Sequence, residues 1–118
     1  MILITGATGF LGRNLCEHLI GRGCRLRALA RPTGDTAFLK ALGMEIAGGD
    51  VRDVDSVRAA IAGCDTVIHA AARFRLWGPP ELFEDINLWG TRNMLATAYV
   101  LEVKRFIHIS TIIVVGPQ

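Results

Sequence analysis

An α/β fold built on a doubly wound parallel sheet is the architecture this sequence predicts, on three observations. Short apolar runs alternate with amphipathic stretches from end to end, the pattern of βαβ units. A glycine-rich turn separates the first apolar run from the first amphipathic stretch. The 118 residues, 51% hydrophobic and 20% charged, suffice for one domain with a real core, and no tract has a disorder-prone composition.

The elements follow in order. Met1–Thr5 reads as the first strand, and Phe10–Ile20, with Leu11, Leu15 and Leu19 four apart, as the first helix. Gly21-Arg22-Gly23 ends that helix, and Leu26–Ala30 is the second strand. After Arg31-Pro32-Thr33-Gly34 marks a turn, Thr33–Leu42 carries a short helical pattern and Met44–Ala47 a third strand. Val54–Ile61 is the third helix and Thr66–Ala70 the fourth strand. Gly78-Pro79-Pro80 stops any helix before Glu81, and Glu81–Leu101 aligns Leu82, Ile86, Gly90, Met94, Thr97 and Leu101 on one face. Arg105–Ser110 is the fifth strand. Right-handed crossovers wind such a sheet in two directions from strand one, giving the order 3-2-1-4-5 and a crevice at the carboxyl ends of strands one and four. The chain stops at Gln118, just past the fifth strand, so residues 1–118 are expected to be an incomplete domain, truncated after strand five.

Several function classes are excluded at this level. Thirteen Lys and Arg against eleven Asp and Glu give a net charge of +2, and the basic residues are scattered, so nucleic acid is not an expected partner. The apolar run 105–117 is broken by His108, Ser110 and Thr111 and falls short of the roughly 20 residues needed to span a bilayer, so no membrane insertion is expected. Met1 leads straight into a strand without a basic segment or cleavage site, which predicts a cytoplasmic location. Cys16, Cys24 and Cys64 lack C-x-x-C spacing and read as buried small hydrophobes. His18, His69 and His108 match no metal motif and read as core or edge histidines, so no metal site is expected.

The strongest signal is Thr5-Gly6-Ala7-Thr8-Gly9-Phe10-Leu11-Gly12, a G-x-x-G-x-x-G run between a strand and a helix, as in Rossmann-type domains. Gly6 suits a positive φ in a tight turn, Gly9 lets backbone approach a pyrophosphate, and Gly12 lets helix pack on strand. Amides freed at the helix start, around Thr8, Phe10 and Leu11, face the phosphates of an NAD(P) cofactor. The plainer reading is a tight turn alone. At the end of strand two, Ala28-Leu29-Ala30-Arg31-Pro32 offers no carboxylate for a ribose 2′-hydroxyl, while Arg31 suits a 2′-phosphate, which favours NADP over NAD. A solvent-facing loop arginine is the alternative for Arg31, and Arg13 is a second phosphate candidate.

At this point the chain resembles the extended short-chain dehydrogenase/reductases, the superfamily of sugar-nucleotide epimerases, dehydratases and dihydroflavonol-type reductases. The resemblance rests on the glycine run, Gly49-Asp50-Val51-Arg52-Asp53, His69-Ala70-Ala71-Ala72, Asn87-Leu88-Trp89-Gly90-Thr91-Arg92-Asn93, His108-Ile109-Ser110-Thr111 and Gly116, in that order. The stretch from Ala72 to Pro79 further resembles hopanoid-associated sugar epimerases and dihydroflavonol-reductase-like proteins.

The resemblance implies that Asp50 and Val51 meet the adenine, with a helix-capping role as the rival for Asp50. It implies that Ala70, Ala71 and Ala72 lie along the ribose and pyrophosphate, or else simply ease helix packing. Asn87 would support an active-site lysine and its water, and Thr111, beside Ser110, would hydrogen-bond a substrate oxygen. The implied substrate is a small molecule, a nucleotide sugar or a related hydroxy or carbonyl compound, and the implied assembly a homodimer through two long helices, one of them Glu81–Leu101. Phe74, Trp77, Phe83 and Trp89 suit a substrate wall, a dimer contact or plain packing. The family's Y-x-x-x-K pair is missing from these residues, because Tyr99 has Val103 four positions on. Little turnover is expected from the 118 residues alone, and a non-catalytic NADP(H)-sensing protein is the second reading.

Overall fold

The computed structural model describes residues 1–71 and 84–110. Five strands, β1 (Ile2–Thr5), β2 (Leu26–Ala30), β3 (Glu45–Gly48), β4 (Thr66–His69) and β5 (Arg105–His108), form one sheet in the order β3-β2-β1-β4-β5. Every pairing is parallel, with Thr5 opposite Leu29 on one side and His69 on the other. This is the Rossmann-type doubly wound order that the alternation of strand and helix predicts.

Helices cover both faces of the sheet. Along β1 and β4, neighbouring side chains point to opposite faces. Leu3 and Val67 join a core with Val57, Ala60 and Ile61 of α3 (Val54–Ile61) and Met94 and Ala98 of α4 (Gly90–Val100). Ile4 and Ile68 join the opposite core with Cys16 of α1 (Phe10–Gly21) and Leu39 of α2 (Ala37–Ala41). One arginine ties sheet to helix: Arg27 of β2 donates from Nη1 to the Ala60 and Ala62 carbonyls at 2.8 and 2.7 Å, satisfying the carboxyl end of α3.

Three local readings differ from the sequence expectation. Helix α2 begins at Ala37 rather than Thr33, because the Gly34 amide closes a turn on the Arg31 carbonyl at 2.9 Å and Asp35 accepts from the Ala37 amide at 3.1 Å. Within the described part of the expected long fourth helix, Glu84–Trp89 forms a π-helical turn before α4, and the expected start at Glu81 lies outside the described residues. Its expected inner face holds where it is described, since Ile86, Gly90, Met94 and Thr97 are buried and Leu101 half-buried; Leu82 lies outside the described residues. Only Cys16 is fully buried among the cysteines, and burial pushes its thiol up to about 11; Cys24 and Cys64 are half-buried, and all three are free.

Candidate functional site

A crevice of about 320 Å³ opens at the carboxyl ends of the central strands. It is lined by Thr5, Gly6, Thr8 and Gly9 after β1, by Leu29, Ala30 and Arg31 at β2, and by Gly49, Asp50 and Val51 after β3. Ala70, Ala71 and Ile86 complete it from the β4 side. The strand order reverses at β1, and this is where a doubly wound sheet takes its ligand.

The glycine loop is held by close backbone approach. Gly6 has φ 72°, and a Cβ there would sit 2.7 Å from the Ala70 carbonyl carbon and oxygen. At Gly12 a Cβ would lie 2.0 Å from the Gly6 carbonyl oxygen, so α1 packs directly on the turn. Gly9 is the N-cap of α1 and its amide donates to the Gly6 carbonyl at 3.1 Å. No side chain caps α1 and no acidic residue occupies its first turn, which leaves the positive end of the helix open toward the crevice. A bare turn with an uncapped helix start fits a pyrophosphate.

The β3 side is ionic. Arg52 grips the Asp50 carboxylate through Nε to Oδ1 at 3.0 Å and Nη2 to Oδ2 at 2.6 Å. That hydrogen bonding holds Asp50 below the ordinary carboxylate range; burial opposes it, and the charges of Arg52 and Arg31 add to it. Asp50 does not cap α3, because Asp53 takes that role, accepting from the Asp55 amide at 3.1 Å. Ser56 braces the turn, accepting from the Asp50 amide at 3.0 Å and donating to the Asp50 carbonyl at 2.9 Å.

The residues expected at the site are thus distributed unevenly. Gly6, Thr8, Gly9, Arg31, Asp50, Val51, Ala70 and Ala71 line the crevice. Phe10 and Leu11 start α1 with exposed side chains, and Gly12 lies buried beneath the turn. Arg13 stands over the Phe38 ring at 4.4 Å, a cation–π contact joining α1 to α2. Asn87, on the π-helical turn, and Ser110, just past β5, are exposed and are not among the crevice-lining residues. Ala72, Thr111, Phe74, Trp77, Phe83 and Gly116 lie outside the described residues.

Sequence reasoning missed the polar centre under the crevice. Thr5 and His69, 1% and 0% exposed, share a hydrogen bond of 2.7 Å between Oγ1 and Nδ1. Thr5 Oγ1 also accepts from the Ala70 and Ala71 amides at 3.1 and 3.0 Å, holding the loop that faces Gly6. His69 reads as a core histidine, as expected, and His18 and His108 are exposed. Among the described residues no group of His, Cys, Asp or Glu could hold a metal, and no helix is long and apolar enough to cross a membrane.

Known proteins match this chain in sequence and in fold. The family model described as the NAD dependent epimerase/dehydratase family matches residues 2–118. The chain is 42% identical over 116 residues to sterol demethylase protein B of Methylococcus capsulatus, covering 97% of this chain and 35% of that protein. It is 34% identical over 108 residues to the 2-alkyl-3-oxoalkanoate reductase of Shewanella oneidensis, covering 92% of this chain and 27% of that protein. Its fold superposes on UDP-glucose 4-epimerase of Thermus thermophilus, a structure complexed with NAD, with a TM-score of 0.79 at 26% identity. That superposition covers 89% of this chain and 35% of the epimerase. The chain therefore spans about a third or less of the length of these relatives.

Proposed function

This chain belongs to the NAD-dependent epimerase/dehydratase family, and we propose that it is the NAD(P)-binding portion of an oxidoreductase or epimerase acting on a sugar nucleotide or a related hydroxy or carbonyl compound. The observation that carries this reading is the bare, uncapped glycine turn at the mouth of the crevice, where an added Cβ on Gly6 would strike the Ala70 backbone. A dinucleotide bound there would supply a nicotinamide for hydride transfer.

The chain's own residues divide the work of holding it. Gly6, Gly9 and Gly12 keep the turn free of side chains, and the amides at Phe10 and Leu11, with the Thr8 hydroxyl, serve the pyrophosphate. Ala70, Ala71 and Ala72 offer small side chains and backbone to the ribose. Val51 packs on the adenine, and Asp50, kept ionised by Arg52, accepts from the exocyclic amine. On the substrate side, Thr111 and Ser110 donate to the reacting oxygen, and Asn87 supports the proton-transfer group.

The preferred cofactor in this reading is NADP. No carboxylate stands at the end of β2, where Ala30 runs into the exposed Arg31, and Arg31 presents a planar fork to a 2′-phosphate. Titration of NADPH and NADH into the intact protein and into Arg31→Ala tests both levels. The Arg31→Ala change should weaken NADPH by about ten- to a hundredfold, from about 1.5–3 kcal/mol of charge-assisted bonding, and leave NADH unchanged. Unchanged NADPH affinity would remove Arg31 from the site. Failure of the unsubstituted protein to bind either dinucleotide would contradict the reading as a whole.

A further inference from the structure

Thr5 and His69 face each other across β1 and β4, both shut away from water. Polar groups at that depth must satisfy their donors and acceptors within the protein, and here each bond can be given a direction. The Ala70 and Ala71 amides, at 3.1 and 3.0 Å, can only donate, so they fill both lone pairs of Thr5 Oγ1. The single hydroxyl proton of Thr5 is left for His69 Nδ1, 2.7 Å away. Nδ1 is therefore the bare nitrogen, and the neutral ring carries its proton on Nε2. That nitrogen lies 2.9 Å from Thr91 Oγ1, and the Thr91 hydroxyl donates to the Asn87 carbonyl at 2.9 Å.

All the donors point one way, from the crevice loop through Thr5, His69 and Thr91 to the Asn87 carbonyl. An imidazolium would place a second proton against the one Thr5 already supplies, and Thr5 would have to release an amide to accommodate it. Burial and the neighbouring His108, stacked at 5.6 Å, push the His69 pKa down to about 4, so the ring stays neutral near pH 7. Phe106 of β5, at 6.2 Å, adds no competing partner for either ring nitrogen. The helix that receives this chain also grips the far wall, because Asn93 Nδ2 donates to the Val51 carbonyl at 2.9 Å.

We propose that His69 is a positioning residue for the dinucleotide: locked as the Nε2–H tautomer, it holds the crevice backbone at Ala70 and Ala71 in register with the start of α4 at Thr91. This role rests on reading the crevice as the dinucleotide site. Thr91 is not among the crevice-lining residues, and the proposed role routes its influence on the cofactor through the ring of His69 rather than through Asn93 and Val51.

The test compares Thr91→Val with Thr91→Ser in the intact protein, two substitutions of nearly equal helix propensity that differ in the hydroxyl. NADPH should bind about three- to tenfold more weakly to Thr91→Val and nearly as well as the original to Thr91→Ser, the scale of a coupling carried through packed groups. In a His69→Asn background, whose shorter amide can still accept from Thr5 but does not reach Thr91, the difference between valine and serine should vanish. Nitrogen-15 shifts of His69 in the unsubstituted protein should show a bare Nδ1 and a protonated Nε2. Equal NADPH affinity for the two Thr91 variants, a difference that persists with Asn at position 69, or a proton on Nδ1 would each overturn the role. These outcomes leave the crevice reading intact if NADPH still binds the unsubstituted protein; absence of that binding overturns both.

Discussion

The two walls of the crevice are built on different physics. On the β2–β3 side the polar groups are charged and in contact with water: Arg31 is exposed, and Asp50 lies in the fork of a partly exposed Arg52. On the β4 side they are neutral and buried, with Thr5 and His69 sealed beneath the loop at Ala70 and Ala71. An exposed ion pair is screened and contributes about 0–1 kcal/mol. A buried network is less forgiving, because each stranded donor or acceptor costs about 1–3 kcal/mol. If the crevice takes a dinucleotide as proposed, substitutions on the outer wall would alter its choice between dinucleotides without disturbing the fold, while the inner wall would fix the shape that every dinucleotide meets.

The sharpest way to break this comparison is at the tightest contact of the glycine turn, which abuts the inner wall where Gly6 meets the Ala70 backbone. Gly12→Ala puts a Cβ 2.0 Å from the Gly6 carbonyl oxygen and 2.7 Å from the Ala7 Cα, both backbone atoms that cannot rotate away. Urea unfolding should show a loss of about 3 kcal/mol or more. A variant within about 1 kcal/mol of the original would mean that the turn is pliable.

Next in size is a pH effect centred on His69. Its folded pKa of about 4 lies below the ordinary 6.5, so between those values the unfolded chain binds the extra proton. The contribution is fully present above about pH 6.5 and is lost as pH falls toward 4, by up to about 3 kcal/mol. His69→Asn should flatten this part of the stability profile. An unaltered slope would assign the acid sensitivity to other groups.

The smallest effect belongs to the outer wall. Arg52→Ala should change stability by less than about 1 kcal/mol, since the ion pair is partly exposed. It should also let the Asp50 carboxyl rise toward its ordinary range, which carbon-13 titration would follow. A stability loss above about 2 kcal/mol would make the outer wall structural and erase the contrast.

The same contrast governs what could be read from the residues in order. Strand positions and sheet order follow from local apolar runs and the chirality of crossovers, and Gly6 and Gly12 announce a tight turn because a Cβ at either position would strike backbone. Arg31 and Asp50 stand out in the sequence as polar groups at strand ends, although ruling out the helix-capping role for Asp50 required seeing Asp53 accept from the Asp55 amide. The inner wall was illegible because its partners are far apart in the chain. Thr5 and His69 are 64 positions apart, and His69 and Thr91 are 22 apart, so no spacing connects them. The π-helical turn at Glu84–Trp89 escaped for another reason: apolar periodicity places a face on a helix and does not register the wider turn that precedes it.

The most direct test of the central claim is amide mapping of NADPH on the nitrogen-15-labelled protein. The largest perturbations should fall on Gly6, Gly9, Phe10 and Leu11, on Ala70 and Ala71, and on Val51, tracing the crevice from one wall to the other. Perturbations confined to other surfaces, or none at saturating NADPH, would contradict the assignment of this crevice as the dinucleotide site.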